Sequence, residues 1–368
     1  MDDYTDYPFY YNSNHSENGT DFEVFISECP SSGLHGTNIF LPLVYCIIFF
    51  TGFLGNLFVI SVVASKGTRG ARLVDTFIVN LALADLVFVL TLPLWAVSAS
   101  QNGNWNFGPL SQVLCKLSSY IIAVNRFSNI FFLTCMSVDR YLAVVKLMDS
   151  RYLRTSRCIC VTCVGVWLVS LILGIPSLVY RTVKTSEDGL RCVEDSTSYV
   201  FLGLSLIMVL VTFVFPVLII VLCYGTIVVH LKKHCVAAAN PRTDARRRHS
   251  LKMVLLIIAA FVVSWLPFNI FKAIIISSQL SDANLSCDTL SWHRNGLIIS
   301  CCLAFLNSCV NPAIYFFLDH HFRRRAEMLL GACVGNQKSL QSYISSASSF
   351  TYPGTTESFG GRSQLQFE

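Results

Sequence analysis

Residues 130–145 read IFFLTCMSVDRYLAVV, an apolar run whose second half carries the charged pair Asp139 and Arg140, followed by Tyr141. Charged side chains are costly inside a bilayer unless they have a partner or a function. The stretch therefore predicts a membrane-spanning helix with a charged triplet at one end, and this triplet needs a structural or functional explanation.

Six other apolar runs of similar length accompany this one. The 368 residues are 53% hydrophobic and 13% charged, with a mean hydropathy of +0.56, which is too apolar for one soluble core. About 20 residues cross a bilayer as a helix, and only helices or closed barrels satisfy their backbone in lipid. We predict an all-α, seven-transmembrane helix bundle with spans at 39–64, 73–99, 112–145, 158–180, 199–230, 250–278 and 291–318.

The Lys and Arg residues indicate which side of the membrane each loop faces. None occurs before Lys66, and they cluster in the loops after the first, third and fifth spans. Because cytosolic loops carry an excess of Lys and Arg, we expect the N-terminus outside and the C-terminus inside a multi-pass plasma membrane protein. The net charge of +5 reflects this topology and contact with anionic membrane lipids, so no nucleic-acid partner is implied.

These boundaries divide the chain into four parts. They are an extracellular arm (1–38), the transmembrane domain (39–318), an amphipathic helix (319–332) that mixes apolar residues with Arg323, Arg324 and Arg325, and a cytoplasmic tail rich in Ser and Thr (333–368). Cys333, next to the helix, is a predicted palmitoylation site, against the alternative of an unmodified thiol.

The N-terminal arm is acidic and rich in tyrosine. Its first 38 residues contain seven carboxylates and no Lys or Arg, with Tyr4, Tyr7, Tyr10 and Tyr11 close to three of the acids. Sulfation of these tyrosines would add negative charge that attracts a basic ligand, whereas the alternative is a merely solvating, glycosylated segment. Predicted glycosylation sites on the outer side are Asn14, Asn18 and Asn284.

Four of the 15 cysteines fall on the oxidising side of this topology, and four cysteines allow three pairings. We expect Cys115, at the top of the third span, to pair with Cys192 in the second outer loop and hold that loop across the mouth of the bundle. Cys29 and Cys287 would then tie the arm to the third outer loop.

Polar residues, prolines and tryptophans recur within the apolar spans, and their order is specific. The motifs are LALADL around Asp85, Thr91-Leu92-Pro93-Leu94-Trp95, Pro216 and Tyr224, Trp265-Leu266-Pro267, and Asn311-Pro312-Ala313-Ile314-Tyr315. With Asp139-Arg140-Tyr141, this set resembles the rhodopsin-like (class A) G-protein-coupled receptors. Thr91 to Trp95, with Trp105 and the Cys29/Cys287 pair, resembles their chemokine and chemoattractant peptide branch.

The resemblance implies a receptor that binds an extracellular chemokine or peptide and activates heterotrimeric G proteins, with the inhibitory class expected. Asp139 would hold Arg140 at rest and release it toward the G protein when the helices separate. Receptor kinases and arrestin would act on the Ser/Thr-rich tail. The implied switch comprises Asp139, Arg140, Tyr141, Tyr224, Trp265, Pro267, Asn311, Pro312 and Tyr315.

Asp85 is a carboxylate near the middle of the second span, where it must be protonated, hydrogen-bonded or bound to a cation. The resemblance implies no cofactor apart from an allosteric sodium ion, held by Asp85, Asn129, Asn307, Ser308 and Asn311. Asn129 departs from the small residue usual in the family, and its amide would occupy part of the volume of the ion.

Basic residues mark a predicted ligand site in the outer half of the bundle. Arg126 precedes Arg140 by 14 residues, close to four turns at about 3.6 residues per turn, so the two share a helix face. With Lys272, Arg294 and Trp95, it would receive an acidic group or free carboxylate of the ligand. Cys301 stands where chemokine receptors commonly carry a glutamate that binds an amine. The alternative is that Arg126 is paired internally and that Lys272 or Arg294 only extends toward water.

Other functional classes have less support. No zinc spacing, phosphate loop or nucleophile motif is present, so we expect no enzyme. A scavenging chemokine receptor that binds ligand without G-protein activation is the alternative, and the intact Asp139-Arg140-Tyr141 and Asn311-Pro312 motifs disfavour it. A transporter is disfavoured because the second half of the chain does not repeat the first.

Overall fold

The computed structural model of the protein describes residues 36–65, 73–146, 155–186, 189–194, 198–234, 241–281 and 285–333. Within these residues, seven helical segments are long and apolar enough to cross a membrane. The prediction of a seven-helix bundle is therefore confirmed.

The first four spans lie close to their predicted positions. Helix α1 covers Thr37–Ala64, and the second span consists of α2 (Leu73–Val89) and α3 (Leu92–Ser100). A short 3₁₀ turn at Gly108–Leu110 leads into α4 (Ser111–Val144), the third span, and α5 (Ser156–Tyr180) is the fourth. The break between α2 and α3 falls at Thr91, whose hydroxyl donates to the carbonyl of Phe88 at 2.8 Å, just before Pro93, which lacks a backbone N–H.

The fifth span joins α6 (Tyr199–Val209) to α7 (Phe215–His234) through a π-helical turn at Leu210–Val214. The turn precedes Pro216, which cannot donate the hydrogen bond that a regular helix requires. The sixth span is α8 (Pro241–Leu280), the seventh is α9 (Cys287–Leu318), and α10 (His320–Cys333) follows.

Helix α8 differs most from its prediction, because it begins at Pro241 instead of residue 250. The added residues include a run of three arginines and are polar. Hydropathy detects only the part of a helix that is apolar enough to lie in lipid, so it does not reveal a polar extension of the same helix.

The interior of the bundle is apolar, and so is its outer surface. A large core cluster surrounds Leu81, Ile130, Met136 and Phe261, and a smaller cluster contains Phe88 and Phe305, whose ring centroids are 5.1 Å apart. Large apolar side chains are also exposed along the spans, as the hydrocarbon of a bilayer requires.

A β-hairpin lies between the fourth and fifth spans. Strand β1 (Arg181–Ser186) pairs antiparallel with β2 (Gly189–Glu194), and Arg181 stands opposite Glu194. The disulfide between Cys115 and Cys192 joins β2 to the top of α4, with their Cα atoms 5.7 Å apart, as predicted. The backbone N–H of Val183 also donates to Oε1 of Gln112 in α4 at 2.9 Å. The hairpin is therefore fixed to the outer end of the bundle.

Helix α10 is anchored to the inner end of the bundle. Asp319 caps it by accepting from the backbone N–H of Phe322 at 3.2 Å. The Phe322 ring is buried and lies 6.0 Å from the ring of Phe58 and 6.2 Å from that of Tyr315. Arg325 forms an ion pair with the buried Asp75 of α2, at 3.6 Å between Nη1 and Oδ2.

Candidate functional site

A cavity of about 200 Å³ opens in the outer half of the bundle, below the hairpin. Its charged lining combines the cations of Arg126, Arg181 and Lys272 with one carboxylate, that of Glu194. The rest of the lining is mostly aromatic and apolar, and consists of Tyr45, Trp95, Ser119, Ile122, Ala123, Ser177, Trp265, Phe268, Cys301 and Phe305. Such a surface suits a ligand that is part apolar and part anionic.

Arg126 of α4 lies in this cavity, as its helical spacing from Arg140 predicts. Its guanidinium carbon is 4.7 Å from the ring centroid of Phe127, 5.7 Å from that of Phe268 and 5.9 Å from that of Trp265. Aromatic faces stabilise a guanidinium without neutralising it. Among the described residues, no carboxylate forms a salt bridge with Arg126, and its buried Nε atom has no hydrogen-bond partner.

Lys272 of α8 lies in the cavity and is already paired. Its Nζ atom is 3.3 Å from Oε1 and 3.5 Å from Oε2 of Glu194. Burial acts to raise the pKa of the Glu194 carboxyl, but Lys272, Arg181 and Arg126 outweigh this effect and lower that pKa to about 2. Glu194 is therefore ionised at neutral pH and neutralises part of the positive charge of the cavity.

Sequence reasoning missed both Glu194 and Arg181. Glu194 could have been found from its position two residues after Cys192. Residues i and i+2 of a strand share a face, and the disulfide of Cys192 directs that face toward the bundle. For Arg181, the signal is a basic residue at the outer end of a span, where the positive-inside rule makes such residues less common.

The other predicted ligand residues do not all line the cavity. Trp95 lines the cavity, and its ring centroid is 4.7 Å from that of the buried Trp105. Cys301 also lines it. Arg294 is exposed and does not line the cavity, because it lies about two helical turns nearer the outer end of α9 than Cys301.

Several predicted sites lie outside the described residues: Tyr4, Tyr7, Tyr10, Tyr11, Asn14, Asn18, Asn284 and Cys29. Cys287 is disulfide-bonded, and its predicted pairing with Cys29 remains a prediction. Cys333 ends α10, but its side chain is not among those described.

A polar centre surrounds Asp85, which is completely buried in α2. Its Oδ1 atom accepts from the amides of Asn125 at 2.9 Å and Asn129 at 2.8 Å and from the hydroxyl of Ser308 at 3.1 Å, while Oδ2 accepts from the Asn311 amide at 3.0 Å. These four donors provide the partners that a buried carboxylate needs. Asn125 was not predicted, although it lies one helical turn before Asn129.

The residues at this centre match the ligand chemistry of a small hard cation. Besides the carboxylate of Asp85 and the hydroxyl of Ser308, the Oδ1 atoms of Asn129, Asn307 and Asn311 are buried and have no hydrogen-bond partner in the described part of the chain. Oxygen atoms are the ligands that hard cations prefer. The side chain of Asn129 fits this set, because its amide nitrogen faces Asp85 and its oxygen is unpartnered.

The predicted switch residues lie along the inner half of the bundle. Nη2 of Arg140 is 3.6 Å from Oδ2 of Asp139, both side chains being mostly buried, and Tyr141 packs against the large core cluster. Tyr224 and Tyr315 are buried, and their hydroxyls have no hydrogen-bond partner among the described residues.

Trp265 connects the cavity to this inner half. Its buried ring lines the cavity and lies 6.0 Å from Phe261 of the core and 5.7 Å from Phe268. Pro267 lies within α8, and Pro312 lies within α9. A ligand in the cavity would therefore contact a side chain that packs directly on the core.

Comparison with known proteins agrees with this geometry. The family model of the 7 transmembrane receptor (rhodopsin family) matches residues 55–315. The chain is 38% identical to mouse "Probable G-protein coupled receptor 25" over 338 residues, which cover 91% of this chain and 89% of the relative. It is 37% identical over 312 residues to mouse "G-protein coupled receptor 15", covering 83% of each, and 34% identical over 359 residues to zebrafish "Apelin receptor A", covering 94% of each.

The family consists of receptors, which confirms the expectation that the chain is not an enzyme. Membership also agrees with seven spans in the plasma membrane. The polar centre, the charged outer cavity and the family match lead to one conclusion. The chain belongs to the rhodopsin family of seven-transmembrane, G-protein-coupled receptors.

Proposed function

We propose that the protein binds an extracellular peptide or chemokine through a carboxylate of that ligand and activates a heterotrimeric G protein. The observation that carries this proposal is the environment of Arg126. Its guanidinium lines an open cavity, lies against aromatic rings, and forms no ion pair among the described residues. A guanidinium that lacks an ion-pair partner in such a site favours the binding of an incoming anion, since charge-assisted hydrogen bonds are strong.

Arg181 supports the same ligand class. It lines the cavity, and its Nη1 atom donates one long hydrogen bond, of 3.5 Å, to the backbone carbonyl of Cys192. Two guanidinium groups in one cavity are suited to bidentate recognition of a carboxylate. A terminal carboxylate of a peptide would meet them when that end of the chain inserts, and the aromatic lining would contact the neighbouring side chain.

The acidic N-terminal arm favours a ligand that also carries positive charge. The acidic, Tyr-rich arm would attract the basic part of a chemokine or peptide before its carboxylate enters the cavity. Cys301 lines the cavity without an acidic group, so insertion of a ligand amine lacks a partner at that position. The zebrafish relative is named as an apelin receptor, which supports a ligand-binding role.

At the inner end of the bundle, the ion pair of Asp139 and Arg140 would couple ligand binding to G-protein activation. Agonist binding would separate the helices and release Arg140 toward the G protein, for which we propose the inhibitory class. Receptor kinases would phosphorylate the Ser/Thr-rich tail, and the phosphates would bind the basic surface of arrestin and end signalling.

We also propose that sodium regulates the receptor at the polar centre. Asp85, Ser308, Asn129, Asn307 and Asn311 would hold the ion, which supplies a positive charge that neutralises Asp85 and favours the resting arrangement. Sodium should therefore lower agonist affinity in the wild type but not in the Asp85→Asn variant. An unchanged affinity in the wild type would contradict this.

A screen of secreted basic peptides on cells that express the full chain tests the signalling proposal. Binding to the cell surface and dissociation of the G-protein heterotrimer are recorded for each peptide. We expect at least one peptide that binds and causes dissociation of the inhibitory class. Peptides that bind and are internalised without any dissociation would instead identify a scavenger.

A further inference from the structure

The charged lining of the cavity contains an acid that belongs to the receptor itself. Glu194 approaches Lys272 with both of its carboxylate oxygens, at 3.3 and 3.5 Å. Arg126 and Arg181 line the same cavity, so Glu194 shares it with three cations. A ligand carboxylate would enter a space in which one carboxylate is already present.

The hairpin keeps Glu194 in place. It ends β2, two residues after the disulfide-bonded Cys192, and it stands directly opposite Arg181 in the antiparallel register. Side chains of opposite residues in such a pair have Cβ atoms about 5 Å apart. Glu194 can therefore turn between Lys272 and Arg181, but the disulfide prevents it from leaving the cavity mouth.

We propose that Glu194 is a specificity-determining residue. Its tethered carboxylate competes with the carboxylate of the ligand for the cations of the cavity, and Lys272 holds Glu194 away from Arg126 and Arg181. This inference rests on the proposed capture of a ligand carboxylate. It assigns Lys272 a different task from the two arginines, because Lys272 acts on the ligand through Glu194.

This assignment predicts non-additive effects of neutralising the two partners. Removal of the Glu194 charge eliminates the internal competitor and strengthens binding of a carboxylate. Removal of the Lys272 charge frees Glu194 to pair with Arg181 or Arg126, which weakens binding. Removal of both charges eliminates the competitor again, so binding of the carboxylate is restored at least to the wild-type level. If Lys272 instead contacts the ligand directly, the double variant remains weak.

The probe for this test is N-acetyl-phenylalanine, which carries one carboxylate and one aromatic ring, with N-acetyl-phenylalaninamide as its uncharged counterpart. Dissociation constants are measured by saturation-transfer NMR on the purified full chain in phosphatidylcholine nanodiscs. Relative to wild type, we expect the acid to bind about tenfold tighter to Glu194→Gln and about tenfold weaker to Lys272→Gln, changes of the size of one charged interaction.

The double variant Glu194→Gln/Lys272→Gln should bind the acid at least as tightly as wild type, while the amide should bind all four proteins alike. Lys184→Gln is the matched control, since Lys184 is an exposed residue of the same hairpin outside the cavity. Glu194→Ala replaces Glu194→Gln if the latter does not fold.

The outcomes separate the two proposals. If wild type does not prefer the acid to the amide, carboxylate capture is wrong and the role of Glu194 falls with it. If wild type prefers the acid but removal of the Glu194 charge does not strengthen its binding, or the double variant stays as weak as Lys272→Gln, only the role of Glu194 is overturned.

Discussion

The carboxylate of Asp85 in α2 accepts four hydrogen bonds from two other helices, with two donors in α4 and two in α9. Each donor therefore holds two spans together as well as satisfying a buried charge. Loss of one donor leaves part of that charge unsatisfied, which costs more than the loss of an ordinary surface hydrogen bond.

Replacement of Ser308 by Ala should therefore destabilise the ligand-free protein by about 1–3 kcal/mol, the cost of a lost hydrogen bond to a buried charged group. The measurement is the thermal unfolding temperature of the purified chain in nanodiscs. Ser300→Ala is the control, because Ser300 is equally buried in α9 but donates only to the carbonyl of Leu297 in its own helix. Equal shifts for the two variants would contradict the account.

At this scale, the sequence predicts which residues need partners better than it predicts the partners. Hydropathy identifies Asp85 as a buried acid, and the resemblance supplies Asn129, Ser308 and Asn311. Asn125 and Glu194 were missed, because their roles depend on which helix or strand face meets another element, and one chain read alone does not show that contact.

Among the elements, the spans were predictable and their irregularities were not. Long apolar runs predict the helices within a few residues, since the bilayer imposes the length of a span; the exception is the polar start of α8 at Pro241. The break at Thr91, the π-turn at Leu210–Val214 and the hairpin depend on local backbone geometry and on the disulfide. Pro93 and Pro216 mark the first two places, but they do not specify which irregular turn forms.

The contact between α4 and α5 requires a glycine at position 174. A Cβ atom there would lie 2.8 Å from Cε2 of Tyr120 and 2.9 Å from Cγ2 of Val124. Gly174→Ala should therefore lower the free energy of unfolding by about 1–3 kcal/mol, the usual cost of overpacking.

Gly165→Ala, in the same helix, is the control for that prediction. A Cβ atom at Gly165 would meet nothing within 4 Å, so alanine should be neutral or slightly stabilising because of its higher helix propensity. Thermal unfolding of the two variants in parallel measures the difference. The contact would have no energetic importance if both substitutions had the same effect.

The hairpin should be insensitive to mild acid. The pKa of Glu194 is lowered to about 2, so its pairing stabilises the folded protein above the ordinary Glu pKa and loses that contribution only as the pH falls toward the folded value. The difference in unfolding temperature between wild type and Glu194→Gln should stay constant from about pH 7 to pH 5 and change only below about pH 4. A change already between pH 7 and pH 5 would show that the ion pair is weaker than the geometry indicates.

For the whole molecule, two sites at opposite ends of one bundle must be coupled. Arg126 and Arg140 lie on the same helix, α4, and Trp265 packs between the cavity and the core. Coupling requires that ligand binding favours one of two arrangements of the helices. The sequence predicts both ends, through the charges on α4, but not the mixed charge of the outer cavity.

Asp139→Ala should raise basal signalling, because it removes the carboxylate that lies 3.6 Å from Arg140. We expect faster nucleotide exchange on purified inhibitory-class heterotrimer without agonist, by roughly two- to tenfold, which corresponds to a shift of about 0.4–1.4 kcal/mol. Asp288→Ala, at the exposed outer end of α9, is the charge-matched control. A basal rate equal to that of wild type would show that this pair does not restrain the receptor.

The most direct test of the central claim compares one active peptide with a free C-terminal carboxylate and the same peptide as its amide, on wild type and on Arg126→Gln. The measurement is the concentration that gives half-maximal G-protein dissociation. We predict that amidation weakens the peptide at least about tenfold on wild type and little on Arg126→Gln, as expected when one charged contact is already lost. Equal potency of the acid and the amide on wild type would contradict the claim.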